Sequence, residues 1–499
     1  MLDIIWFVIA LLLPWLLGVV CLRMIGSWSV CLSYGFVIGI FLTSVLMFGI
    51  DALGFALQFY SIAAVLLVLI SAGFLVSRRY VWPSDNAQLF YWADQSPWEK
   101  AWFAFFLLLV ILRLGGLASE IWLRPLFPWD AWTTWAVKPR VWFEYNHLVP
   151  FVSATEWLAS SDRVYTIDAW HYPIIVPLMQ LWVALGVGHW DESFSNMLWL
   201  LCTVALGMGF YGQARLWGVR PLVAILFTYL LLSLPLLDTH TALAGYSDLW
   251  LAAALLLATM AFCLWARTRN PYQGVLVLVL ALFCPFIKIE GSVWILAFIP
   301  AVIIARCTLK ALLYLVGLIV LLLIVWLWSG GFSMSLPWVG RVDLTTELIS
   351  FPYIGRFEFA LNVNWWPFVH NFFILDNWHL FWYLAIAVIV FSVPRIVSDR
   401  LILTCAVPLL VWLLLLFTLF CLTQAQEWAA KYTSINRLFL HIVPALLFYL
   451  LILVNAMIQQ SRYITTLSGA RSDRYRRRRW WSWSIRESPG SHTRPPPSG

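Results

Sequence analysis

Charge is scarce in this sequence. Only 11% of its 499 residues are Asp, Glu, Lys or Arg, against 63% hydrophobic. That excludes an ordinary soluble domain, in which roughly a quarter of residues are charged and about half are apolar. Paired cysteines are lacking as well. The eight cysteines (Cys21, Cys31, Cys202, Cys263, Cys284, Cys307, Cys405 and Cys421) lie in or beside apolar stretches. None forms a Cys-x-x-Cys pair, which excludes a zinc site and a disulfide framework. No glycine-rich phosphate loop is present, so nucleotide chemistry is not expected. No internal repeat stands out. The first apolar run, 4–22, has neither a basic leading segment nor a small-residue cleavage site, so a retained helix is expected there rather than a removed signal. The net charge of +7 comes largely from the run Arg476–Arg479 and from short loops. It points to no nucleic-acid partner.

Long apolar runs are abundant. Many reach the roughly 18 to 20 residues that a helix needs to cross the hydrocarbon core. The 33 tryptophans cluster at their ends, as interfacial belts do. The expected fold class is an all-α, polytopic membrane helical bundle of about thirteen transmembrane helices, with interfacial helices in the first large outer loop. The helices are expected at 4–22, 28–50, 56–76, 101–119, 194–214, 221–237, 249–266, 273–287, 291–305, 311–328, 378–394, 401–421 and 438–458. Lys and Arg in short loops set the orientation. Arg23, Arg78, Arg79, Arg215, Arg220, Arg267, Arg269, Arg306, Lys310, Arg395, Arg400 and the tail share one side if the N-terminus is outside and the C-terminus inside. The acids, which did not enter that choice, gather on the other side.

Residues 171–188 (HYPIIVPLMQLWVALGVG) are nearly long enough to span, but carry two prolines and a leading His. A crossing there would move Arg215, Arg220, Arg267 and Arg269 outside. The segment is therefore expected in the interface or as a re-entrant turn. Three regions follow. Residues 1–100 hold extra N-terminal membrane helices. Residues 101–460 form a membrane core with outer loops 120–193 and 329–377. Residues 461–499 form a disordered basic inner tail, whose Arg run either meets anionic lipid or is simply solvated.

The polar chemistry sits mainly in the outer loops. Asp130 lies in Trp-Asp-Ala-Trp-Thr-Thr-Trp, and reads either as a helix N-cap or as a carboxylate base at an aromatic cleft. Lys138 and Arg140 flank Pro139, which is expected to break a helix. Outer cations run against the positive-inside trend, so they ask for a partner, a phosphate or Glu144. His171, Tyr172 and Pro173 form a turn. Asp248 starts a helix close to His240 and Tyr246, as a dipole-compensating acid or a substrate contact. Lys288 and Glu290 are either a pair facing a wet cavity or a snorkelling Lys with a local partner. Arg437 and His441 are four apart and share a helix face, for buried pairing or for phosphate or sugar binding. No ionisable residue is expected at mid-membrane, which argues against an ion-coupled transporter.

These residues resemble the GT-C superfamily of polyprenyl-phosphate-sugar-dependent glycosyltransferases, of the protein O-mannosyltransferase and lipid A aminoarabinose transferase types. The similarity runs from about 101 to 305 and returns at the last helix. In that family the first large outer loop carries a catalytic acid soon after a membrane helix, and Asp130 matches by position. The His-Tyr-Pro stretch and the apolar segment after it resemble a family feature. So do Asp248 in Gly-Tyr-Ser-Asp, the Lys288-x-x-Gly291 turn, and Arg437 ahead of Pro444. Three extra helices precede the family-like part, and the Asp-Glu dipeptide of the O-mannosyltransferases is Asp130-Ala131 here.

The resemblance implies an integral glycosyltransferase of a bacterial inner membrane, with its active site outside the cytoplasm. Asp130 and Asp248 would be catalytic. Lys138, Arg140, His171, Tyr172, Tyr246, Lys288, Glu290 and Arg437 would contact substrate. The donor would be a polyprenyl-phosphate sugar in membrane lipid. The acceptor (glycan, lipid or protein) stays open. No cofactor is read, and a divalent metal stays open. Two other readings remain: a transporter or flippase for a lipid-linked glycan, and a structural subunit docking through 329–377.

Overall fold

Hydrocarbon offers the backbone no partner but itself, so long apolar runs become helices. A computed structural model describes residues 2–22, 27–78, 95–336, 340–362, 364–432 and 434–484. Among these, nine helices are long and apolar enough to cross a membrane: Leu2–Cys21, Trp28–Ala52, Phe59–Ser77, Pro97–Leu123, Glu192–Leu216, Asp248–Thr268, Phe381–Ser398, Arg400–Leu422 and Ile435–Gln460. A tenth candidate is the pair Pro221–Leu232 and Pro235–Ala242, bent by 60°. The chain is a multi-pass membrane protein, nearly all helical. Arg23, Arg79 and residues 485–499, on which the orientation and tail expectations partly rest, lie outside the described residues.

The bundle is built around Asp248–Thr268. Every residue from Asp248 to Ala266 is buried. A helix apolar on all sides has to be surrounded, and Ala252, Ala253, Ala254, Ala258 and Ala261 let neighbours come close. Those neighbours include Glu192–Leu216, Pro271–Ile287, Arg400–Leu422 and the last helix. The last helix begins at Ile435, and its backbone runs through Ser484. That passes the expected end at 458 and enters the segment expected to be disordered. No proline falls between Pro444 and Ser484, and arginine is a good helix former.

Residues 171–188 depart from the interfacial expectation, though not from the re-entrant alternative. Ile175–Val187 is a helix of 13 residues, all of them buried. It spans about 20 Å, less than the roughly 30 Å hydrocarbon core. It packs among Leu2–Cys21, Trp28–Ala52, Val137–Tyr145 and Glu192–Leu216. The Trp182 indole donates to the Ala10 carbonyl at 2.6 Å. An interfacial helix needs a polar face, and this one has none. The connection that contains it starts and ends on one side of the bundle. The Leu126 N–H, just past Pro97–Leu123, donates to Glu192 at 2.8 Å, at the start of Glu192–Leu216. The chain leaves and re-enters the bundle at one end.

The all-α expectation also needs correction. The connection before Glu192 holds a short parallel pair, β1 (Phe151–Val152) and β2 (Tyr165–Thr166). The loop 329–377 holds an antiparallel meander: β3 (Gly331–Leu336), β4 (Gly340–Thr345), β5 (Leu348–Phe351) and β6 (Gly355–Glu358), in that order. It hangs from Leu309–Ser329, a 21-residue helix with no buried residue among its described side chains. Trp326 on that helix donates to the Leu344 carbonyl at 2.8 Å. The opposite edge of the meander is tied to residues 421–424. There Gln424 N–H donates to the Glu358 carbonyl at 3.0 Å, Ala360 N–H to Leu422 at 2.9 Å, and Asn362 N–H to Cys421 at 2.8 Å.

Candidate functional site

Segments far apart in sequence end their helices side by side. Asp248 opens Asp248–Thr268, Lys288 follows Pro271–Ile287, and Glu290 precedes Gly291–Trp294. Arg437 and His441 lie in the first turns of the last helix. Two glycines allow the approach. Gly245 has φ +110°, and a Cβ there would stand 2.4 Å from the Ala131 Cβ. A Cβ at Gly291 would stand 2.2 Å from the Cys284 carbonyl oxygen. Asp130 arrives on a π-helical turn, Ala131–Trp135, a widened turn frequent at functional sites.

Asp248 is the hub. Its side chain is fully buried, a position a carboxylate holds only when paired and hydrogen-bonded. Oδ1 accepts from Lys288 Nζ at 2.8 Å and from His441 Nε2 at 2.9 Å. Oδ2 accepts from Arg437 Nη2 at 2.9 Å and Nε at 3.3 Å. The Trp294 indole donates to His441 Nδ1 at 3.2 Å, which assigns the imidazole proton to Nε2. Arg437 bridges two acids, because its Nη1 donates to Asp130 Oδ2 at 2.7 Å. Its guanidinium also lies 4.7 Å from the centre of the Tyr246 ring, a cation–π contact. Lys288 Nζ is 3.2 Å from Glu290 Oε1. Glu290 Oε2 meets no hydrogen-bond donor among the described residues.

Beside this cluster lies a cavity of about 370 Å³. Its polar lining includes Asp130, Tyr172, Lys288, Glu290 and Arg437. Its apolar lining comes from Val293, Trp294, Leu415, Leu416, Leu419 and Leu438 on helices, and from Ile349, Phe351, Ile354 and Phe357 around the meander. One chamber thus offers charge and hydrocarbon contact together.

Five of the residues singled out in the sequence share this cavity: Asp130, Tyr172, Lys288, Glu290 and Arg437. Tyr246 packs on Arg437, and Asp248 is buried behind the cavity lining. The N-cap reading of Asp130 fails. Its backbone is helical and its side chain makes no capping bond; it pairs with Arg437 instead. Arg437 and His441 share a face as expected, and both bond to Asp248.

Lys138 and Arg140 do not join Lys288 and Arg437 in the cavity lining. Lys138 is buried, and its ammonium donates to the carbonyls of Trp170 at 3.0 Å and Tyr172 at 2.8 Å. Burial pushes its pKa down to about 8. Arg140 is exposed. The reason is Pro139, which breaks nothing. It is the third residue of Val137–Tyr145, where a helix does not use the N–H. On a helix, residues two apart face different ways, so Lys138 turns inward and Arg140 outward. His171 lies behind a lining residue, its ring centre 5.5 Å from that of Tyr353. Burial first, then the Lys138 charge, push the His171 pKa down.

The expected absence of mid-membrane charge is overturned by Arg113. It sits inside Pro97–Leu123, about 15 Å from the helix end at 1.5 Å per residue. Its Nε donates to the Leu232 carbonyl and to Asp238 Oδ1, each at 3.0 Å, and its Nη2 pairs with Asp238 Oδ2. It thus joins both halves of the bent pair. The two prolines that open those halves, Pro221 and Pro235, were the signal available in the sequence. Trp294 and the meander residues are the other parts of the site that sequence reasoning missed. Among the described residues, no group of three or more His, Cys, Asp or Glu side chains is arranged to hold a metal ion. Compared with known proteins, the chain matches no family model, no curated protein and no solved structure.

Proposed function

We propose that this chain is an integral membrane glycosyltransferase. It moves a sugar from a polyprenyl-phosphate donor to an acceptor at the outer face of a bacterial inner membrane. One observation carries the reading: a single cavity joins Lys288, Arg437 and Asp130 to a long apolar wall. A lipid phosphate needs both, cations for its oxygens and hydrocarbon for its tail. In this reading the bent pair, Pro271–Ile287, Gly291–Arg306 and Leu309–Ser329 also cross. That makes thirteen crossings, with the N-terminus outside.

The chemistry follows from the pairing. Without donor, Arg437 holds Asp130 and Asp248 together. An arriving phosphate competes for the Arg437 Nη1 hydrogen and frees Asp130. The acceptor hydroxyl oxygen then attacks the anomeric carbon, through an oxocarbenium-like state. The bond from that carbon to the phosphate oxygen breaks, and its electron pair leaves with the lipid phosphate. The hydroxyl proton passes to Asp130 as general base. Lys288 and Arg437 stabilise the charge gathering on the leaving phosphate. A single displacement inverts the anomeric centre. Asp248 is then a positioning residue, since all its bonds serve to aim Lys288, Arg437 and His441.

A transport reading has one observation in its favour. Broken helices with charge at mid-membrane are typical of transporters, and Arg113 with Asp238 at the bent pair fits that description. The Asp130→Asn variant separates the two. Asn keeps the shape but cannot take the acceptor proton. Turnover of a polyprenyl-phosphate sugar should fall by roughly 100- to 10,000-fold, with donor binding retained. Near-normal turnover would remove the base, and with it the main support for the enzyme reading.

A further inference from the structure

We infer that the β3–β6 meander is a lid over the cavity, hinged at residues 358–362 and latched at Tyr353. The inference concerns access to the chamber and holds whichever ligand enters. Its first support is position. Ile349, Phe351, Tyr353, Ile354 and Phe357 form one wall of the cavity, so any swing of the sheet opens it.

The second support is an asymmetry in how the sheet is held. On the β6 side the attachment is backbone to backbone. Glu358, Ala360 and Asn362 bond to Gln424, Leu422 and Cys421 at 2.8 to 3.0 Å. The Gln424 side chain adds a bond to the Arg356 carbonyl at 3.2 Å. At the turn between β5 and β6 the contacts are between rings. Tyr353 meets His171 with ring centres 5.5 Å apart and Trp170 at 6.3 Å. Ring contacts are weaker and less directional than a run of backbone hydrogen bonds, so the sheet turns about the first edge and releases at the second. Leu309–Ser329, which leads into β3, does not oppose this, because none of its described side chains is buried against the bundle.

The third support is strain at the latch. Tyr353 has φ +64°, a left-handed conformation that a bulky residue holds only when its surroundings enforce it. Here the enforcement is local. The Ile354 N–H donates to the Phe351 carbonyl at 3.3 Å across the turn that closes β5 onto β6, with Pro352 before Tyr353. This turn presents the Tyr353 ring to Trp170 and His171. The latch also gives the His171-Tyr172 turn a role. Tyr172 lines the cavity directly, and His171 fastens the wall opposite.

The test reads access to the cavity and needs no known ligand. Ser434 lines the cavity, and Ser434→Cys in the full chain reports on it. Labelling by a charged methanethiosulfonate would be followed by mass spectrometry of the peptide that contains residue 434. Tyr353→Gly removes the ring and relieves the positive φ. His171→Ala removes the latch from the other side and leaves the meander sequence intact. Each should speed labelling roughly 2- to 10-fold, the loss of one ring contact. Tyr353→Phe, which keeps the ring, should label like the parent. Parent-like rates in both Tyr353→Gly and His171→Ala would overturn the lid. So would a Tyr353→Phe variant that labels as fast as Tyr353→Gly.

Discussion

At the scale of single residues, Asp248 carries the most consequence. A buried carboxylate is costly unless every oxygen is engaged, and here two cations and an imidazole engage it. Removing its charge leaves Lys288 and Arg437 facing each other with less to hold them. Asp248→Asn should cost about 3 kcal/mol, the scale of breaking a buried ion pair. Denaturant or thermal unfolding of the purified protein in detergent measures this. Stability within about 0.5 kcal/mol of the parent would mean that the cluster contributes nothing net. From the sequence, Asp248 read as an acid at a helix start, and it is one. Its real environment was hidden because its partners lie 40, 189 and 193 residues away. Asp130 shows the same limit, since its partner is 307 positions away. Local spacing suggested a cap, and only the folded chain supplies Arg437.

Among elements, the bent pair is the most informative. Arg113 donates to a carbonyl of the first half and pairs with a carboxylate of the second. If that staple fixes the bend, the two side chains are coupled. A double-mutant cycle on Arg113→Ala and Asp238→Ala, read by unfolding in detergent, should give a coupling of roughly 1–3 kcal/mol. A coupling near zero would leave the prolines alone as the cause of the bend.

Helices were legible as elements because long apolar runs have one solution in hydrocarbon. Two elements were not legible. For Ile175–Val187, its prolines and the charge parity set it apart from a spanning helix, but nothing local showed that every one of its residues is buried. The meander was lost because its signal has a period of two. Val342 and Leu344 alternate with Asp343 and Thr345, and a membrane-length hydropathy window averages such a pattern away.

At the scale of the whole molecule, the cavity fixes which helix ends share a face. Asp130, Asp248, Lys288, Arg437 and the meander can meet only if their helix ends lie together. This agrees with an arrangement in which 171–188 does not cross. The proposed orientation places Thr155 outside and Ser398 inside, both exposed on the protein. In intact cells, a membrane-impermeant thiol reagent should label Thr155→Cys and leave Ser398→Cys unlabelled until the cells are broken. The reverse pattern would invert the molecule and move the site to the cytoplasm.

Leu309–Ser329 has a further consequence. Its 21 residues make about 31 Å of helix, close to the thickness of an average hydrocarbon core. In the proposed arrangement of thirteen crossings this helix spans, and with no described side chain buried in the bundle its tilt is then governed by the surrounding lipid. A thinner bilayer tilts such a helix further, and a thicker one draws it upright. The Trp326–Leu344 hydrogen bond carries that tilt into β4. In that arrangement the wall of the cavity is mechanically connected to membrane thickness, and lipid chain length acts on the chamber from a distance.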